Sequence, residues 1–262
     1  RKTSTGQWIR KKSLTEAIDA FTKVGIVYHD LLSRNLIPRD RENTFKELKF
    51  LALFEQGCCN LDIAKNSKGT KKELYLDYSN EIFSNLVNQS ECSPELCKEA
   101  NLVLSEVLIL LGNFEKAHEH LSQLIQDKEK PTYFSAKAHF LLAETFLKKK
   151  EYEQALKSLE YADAHVDGFS TDEVLKISMQ KGFCLKALGK LDDAMIAFSS
   201  VVNANAVSNL RIQCMFERAA IYKDQNRFDL YRKQLEAIIK LGGQWQLQAR
   251  QLLDEYYAKE LH

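Results

Sequence analysis

Proline and glycine are scarce. Three prolines (Pro38, Pro94, Pro131) and ten glycines in 262 residues leave few places where the chain could reverse tightly enough to close a sheet. Leu, Ala, Lys, Glu and Gln, all good helix formers, fill the space instead, so the default is an all-helical protein. Charge of one sign is also lacking. Thirty-seven basic against thirty-six acidic side chains give a net charge of +1, which provides no global field to draw in nucleic acid or an anionic membrane. The longest apolar runs, Phe50 to Phe54 and Val107 to Leu111, fall far short of the roughly 20 residues a spanning helix needs. Because the chain starts at Arg1 and enters helical sequence almost at once, a signal peptide, an anchor or further repeats upstream are expected to be missing. The cytoplasm is the expected location, with the bacterial periplasm or envelope as the alternative.

Chemistry-bearing patterns are missing as well. Six cysteines (Cys58, Cys59, Cys92, Cys97, Cys184, Cys214) are too few for a disulfide scaffold, and their spacings match no zinc module. Buried thiols are expected, although Cys92 and Cys97, bracketing a helix start at Ser93-Pro94-Glu95, are near enough to bond in an oxidising compartment. There is no glycine-rich phosphate loop, no Gly-x-Ser-x-Gly elbow and no His-Glu-x-x-His pair. His118 and His120 stand two apart, about 200° around a helix, which denies them a shared metal. His139 is expected as a packed or half-buried histidine. Basic tracts at Arg10 to Lys12, Lys68 to Lys72 and Lys148 to Lys150 lack interleaved aromatics and are expected to be solvated loops and turns. Neither catalytic residues, cofactor nor metal follow from the sequence, and no nucleic acid is expected as a partner.

Internal repetition is what the chain does contain. Gly112-Asn113-Phe114-Glu115-Lys116-Ala117 aligns with Lys150-Glu151-Tyr152-Glu153-Gln154-Ala155 and Gly189-Lys190-Leu191-Asp192-Asp193-Ala194, and a weaker copy starts at Asn226, at steps of 38, 39 and 37 residues. Other columns move in step. Small residues recur at Ser105, Ala143, Gly182 and Ala219, and large ones at Leu108, Phe146, Leu185 and Tyr222. A second helix then carries Leu121, Leu159, Phe198 and Leu235, followed by Leu124, Ala162, Val201 and Ile238. The distance from first to last column is constant. Two antiparallel helices joined by a tight turn stay in contact only if both apolar stripes keep register, so insertions must go to the outer connection. The small residue lets the second helix approach closely. Gly112 and Gly189 provide the left-handed conformation that ends a helix, Asn226 can imitate it, and Lys150 fits least well.

These residues resemble the tetratricopeptide-repeat family over Lys98 to about Leu241: a small residue, a glycine seven on, an aromatic two further, then alanine and a large apolar residue. The units are elongated against the family's 34 residues, and the family proline survives only as Pro131. The implied fold is an all-α, right-handed α-solenoid of antiparallel helix hairpins with a C-terminal capping helix. Its expected parts are a partial N-terminal repeat over 1–33, an irregular hairpin over 44–88, four repeats over 98–241 and a cap over 244–261, in one continuous superhelical domain. Leu14 to Ser33 is expected as a second helix whose first partner is truncated around Gln7 to Lys11. Linker sequence follows from Arg34 to Asn43, then helices at Thr44 to Ala64 and Lys72 to Asn88. The cap, with Trp245, Leu252 and Tyr256, is expected to dock on a helix from Phe228 to Leu241.

In this family the first helices line a concave face, and the resemblance implies its residues here. One stripe is Leu102, Phe140, Met179 and Phe216; a second is Glu106, Glu144, Phe183 and Ala220; a third is Glu99, Lys137, Lys176 and Gln213, with Lys148, Lys186 and Lys223 toward the helix ends. Such an apolar ladder with carboxylates at one end and lysines toward the other suits an extended or helical segment of a partner protein. Members that clamp the C-terminal carboxylate of heat-shock chaperones use a lysine, asparagine and arginine set, whereas Leu102, Glu106, Leu141 and Gln180 stand at four of those places and only Lys176 agrees. A non-enzymatic scaffold or adaptor is therefore the expected function. The alternative is a bacterial envelope-assembly or secretion-associated protein, lipoprotein or chaperone-like, of the same family.

Overall fold

A computed structural model describes residues 4–125, 132–204 and 209–260, with side chains from 13 to 258. Pro131 and Leu261 lie outside the described residues, as do the side chains of Arg10, Lys11 and Lys12. Among those described there are twelve α-helices and no strand: α1 Ser4–Ser33, α2 Glu42–Lys65, α3 Thr70–Val87, α4 Pro94–Leu110, α5 Phe114–Ile125, α6 Tyr133–Lys149, α7 Tyr152–Ala164, α8 Thr171–Ala187, α9 Leu191–Asn203, α10 Asn209–Asp224, α11 Phe228–Leu241 and α12 Gln246–Glu260. The chain divides into two compact units, Arg1–Thr145 and Phe146–His262, and the division falls within α6.

In the first unit α1 packs on α2, α2 on α3, α3 on α4 and α4 on α5. Its core joins Phe50, Leu61, Leu76, Phe83, Leu86, Leu104 and Val107 from α2, α3 and α4. In the second unit α7 to α12 stack in the same sequential way, with α8 also touching α10. The repeated columns are its interior: Leu159, Phe198 and Leu235 are fully buried, as is Leu121 in the first unit. Gly182 shows why its column must be small. A Cβ there would lie 2.5 Å from the Phe198 ring, closer than packed atoms tolerate.

The turns obey one local rule. At Gly112, Lys150, Gly189 and Asn226 the backbone is left-handed, with φ of 80, 61, 76 and 56°. Each following amide reaches back five residues: Asn113 to Leu108 at 2.8 Å, Glu151 to Phe146 at 2.9 Å, Lys190 to Leu185 at 2.9 Å and Arg227 to Tyr222 at 2.8 Å. This paired cap satisfies the last carbonyls of the first helix. Lys150, the poorest residue for it on sequence grounds, adopts it all the same.

Helix starts are equally local. Ser93 accepts from the Leu96 amide at 3.4 Å ahead of Pro94. Ser170 and Glu173 form a reciprocal capping box, the Ser170 amide donating to Glu173 Oε2 at 2.9 Å.

The N-terminal region departs from expectation in two ways. Residues 7–11 form no separate helix, because α1 runs unbroken from Ser4 to Ser33. Nothing in that stretch, neither proline nor a left-handed residue, interrupts the backbone ladder. The stretch after α1 is also more ordered than a linker: Asn35 takes φ 52°, Leu36 donates to the Leu31 carbonyl at 2.9 Å, and a 3-10 turn follows at Arg39–Arg41. α1 is thus capped like the first helix of a regular hairpin. At the other end α12 begins at Gln246, and Tyr256 meets Phe228 and Tyr231 of α11 at ring separations of 5.8 and 5.9 Å.

Candidate functional site

The first helix of each hairpin turns its small residue inward, so residues three and four positions away on the same helix fall to either side of that contact. Within the first unit, Leu102 and Glu106 sit on α4, and Lys137, Phe140 and Glu144 on α6. Leu102 is 9% exposed and Phe140 6%, so both are largely interior residues. Glu106 is half-buried and its carboxylate meets Lys65 Nζ, at the end of α2, at 2.7 Å. Lys137 is buried too, its ammonium 5.3 Å above the Tyr133 ring; Glu144 is half-buried.

Within the second unit the corresponding residues are more open. Lys176 and Gln213 are exposed, and Met179, Phe183 and Phe216 are half-buried. Phe183 packs edge-on against Phe198 at 5.5 Å, and Phe216 lies 6.1 Å from Trp245, which precedes α12. Lys186 and Glu217 join α8 to α10 at 2.8 Å. Both charges are partly solvated, so this pair contributes up to about 1 kcal/mol while holding the two helices' polar edges together. The structure places Lys176, Met179 and Phe183 on α8 and Gln213 and Phe216 on α10, two helices that touch and share the Lys186–Glu217 pair. Of the ladder in the first unit Glu99 is exposed, and Glu106 and Glu144 stay partly accessible.

The cysteine thiols are tuned mainly by burial. Desolvation pushes the thiols of Cys58, Cys92 and Cys214 up to about 12 and that of Cys184 to about 11, so none carries a thiolate at neutral pH. All six cysteines are free, and the Cys92 thiol is further raised by a hydrogen bond with Cys97. His118 is exposed, whereas half-buried His120 places Nδ1 2.9 Å from Asn101 Oδ1 across α4 and α5. Burial lowers its pKa. Lys68 and Lys71 are exposed, as are Lys148, Lys149 and Lys150. Among the described residues no group of three His, Cys, Asp or Glu could hold a metal, and no helix is long and apolar enough to cross a membrane.

Two features went unread in the sequence. Gly57 is the small residue of α2: a Cβ there would lie 2.7 Å from the Phe83 ring. Between α2 and α4 an open cavity of about 480 Å³ is lined by residues outside the ladder except for Glu99. The signal for it was present in Leu48 and Leu51, apolar residues on α2 that flank the core residue Phe50 without joining it.

Stacked hairpins of this geometry define a helical-repeat protein. The family model described as "Tetratricopeptide repeat-like domain" matches residues 83–218, just over half of the chain, and the chain belongs to that family. No curated protein matches the sequence. Several solved structures are similar. A putative kinesin light chain from Podosopora anserina, described by its nearly identical TPR-like repeats, is 17% identical with a TM-score of 0.53, over 68% of this chain and 91% of that one. BtubC (BKLC) from P. vanneervenii is 14% identical with a TM-score of 0.56, over 97% and 93%. A Rap protein complexed with Competence and Sporulation Factor is 13% identical with a TM-score of 0.52, over 90% and 77%. At these identities the likeness is one of fold, and the fold is typical of protein–protein interaction scaffolds.

Proposed function

We propose that the chain is a non-enzymatic scaffold or adaptor that holds a peptide or helical segment of a partner protein on the face of its first helices. The observation that carries this reading is the α8 and α10 surface, where Met179, Phe183 and Phe216 keep part of their apolar area accessible beside exposed Lys176 and Gln213. Partly exposed aromatic and thioether side chains within a charged rim are the composition of a binding surface. Met179 adds an adaptable side chain that fits differing anchors. A structure of like fold, the Rap protein, holds a second molecule, which supports the reading by analogy. The envelope-assembly alternative would use the same helices and gains no separate support.

The test is a random peptide library selected against the purified protein. Selected peptides should lose at least about tenfold in affinity for a Lys176→Glu, Met179→Glu variant. They should keep it for Ile196→Glu, whose parent side chain is 70% exposed on the second helix α9. Equal affinity for all three proteins would contradict the reading. Unchanged helical circular dichroism would show that the variants remain folded.

A further inference from the structure

The open cavity between α2 and α4 has apolar walls and an acidic rim. Leu48 and Leu51, one turn apart on α2, are 52% and 47% exposed and face it together with Leu96 of α4. Glu47 enters from α2, and Glu95 and Glu99 from α4. All three carboxylates are exposed, and none has an ion pair with a described residue.

The cations nearby are engaged elsewhere. Lys46 is held between Glu42 and Glu91, at 3.1 Å from each. Lys49 sits 5.1 and 5.4 Å above the rings of Tyr28 and Phe50, and Lys98 lies 5.7 Å above Phe134. Glu95 and Glu99, one helical turn apart, put like charges on one face of α4, and Lys98 between them lies over the Phe134 ring and forms no ion pair with either. Exposed leucines cost the protein hydration, and uncompensated like charges cost it repulsion; a cationic apolar segment relieves both at once. The volume of about 480 Å³ lies within the range of ligand-binding clefts.

We propose that this groove docks a basic amphipathic segment of a partner protein. Large apolar side chains enter between Leu48, Leu51 and Leu96, and lysines or arginines pair with Glu47, Glu95 and Glu99. The site lies wholly in the first unit and uses different helices from Lys176 and Met179, so it stands or falls independently of the surface on α8 and α10.

The probe is a fluorescein-labelled helical peptide of about 14 residues built from Lys and Leu with one apolar face, compared with a Glu/Leu peptide of the same pattern and with a lysine-only peptide. The full chain should bind the Lys/Leu peptide in fluorescence anisotropy and ignore the other two. Glu47→Lys, Glu95→Lys, Glu99→Lys together, and Leu51→Asp alone, should each weaken it by about tenfold or more, while Lys176→Glu, Met179→Glu leaves it unchanged. These are exposed positions, and circular dichroism checks that the variants fold. Equal binding to the charge-reversed variant, equal binding of the Glu/Leu peptide, or equal binding of the lysine-only peptide would each overturn the proposal. Concentration-dependent self-association that the same substitutions abolish would assign the groove to a second copy of the chain and overturn it as well.

Discussion

Two hairpins of this protein close on the same contact and differ in nearly everything else. In α8/α9 a glycine at 182 lets the Phe198 ring sit against the helix backbone; in α2/α3 Gly57 does so for Phe83. The first pair is joined by a three-residue connection around left-handed Gly189. In the second, α2 runs on to Lys65 and ends at Asn66 with an ordinary φ of −98°. The close approach of glycine and ring is thus common to these two hairpins, and the turn is free to vary once that approach exists. A buried hydrogen bond from Ser79 Oγ to the Gly57 carbonyl, at 3.0 Å, reinforces the longer hairpin where the tight turn is missing.

If the rings carry both hairpins, Phe83→Ala and Phe198→Ala should each cost about 3–5 kcal/mol, measured by urea unfolding. A loss confined to Phe198 would break the parallel. Next in size, Gly57→Val and Gly182→Val should each cost about 1–3 kcal/mol through overpacking. Here the equality of the two effects, rather than either alone, sharpens the comparison.

Smaller effects belong to the turns. Gly189→Ala should destabilise by about 1 kcal/mol and Lys150→Gly should stabilise by a similar amount, because a side chain resists the left-handed conformation that both positions adopt. Thermal melts of the two single variants should therefore move in opposite directions. The smallest effect distinguishes α4/α5 from α8/α9, since Ser178 and Ala197 stand where Asn101 and His120 make their bond. Burial holds the folded pKa of His120 below its ordinary 6.5, so the unfolded chain binds more proton between the two values. Stability contributed by neutral His120 is present above 6.5 and lost as pH falls through that interval. The drop in urea midpoint from about pH 7.5 to about pH 5.5 should be smaller in His120→Gln than in the parent.

The regular hairpins were legible because their columns recur at fixed internal spacing, and every residue of the Leu121, Leu159, Phe198, Leu235 column is fully buried. Gly57 was not, because the extra length of α2 places it 26 residues before its ring instead of 16, outside any shared register. The capping helix was visible from Gly242-Gly243 and its tyrosines, and it docks on α11 through Tyr256. For the face of the first helices, spacing shows which side a residue occupies but not what covers it. Leu102 and Phe140 are interior, whereas Met179 on the same stripe is half-open. The acidic groove escaped for a related reason: Glu47 and Leu48 come from one hairpin and Glu95 and Leu96 from the next, and no periodicity links them.

Amide hydrogen exchange of the full chain, free and saturated with a library-selected peptide, bears most directly on the idea that the first helices present the partner-binding face. Added protection should appear on α8 and α10 and be absent from α9 and α11. Protection of α9 and α11 with α8 and α10 unchanged would contradict it.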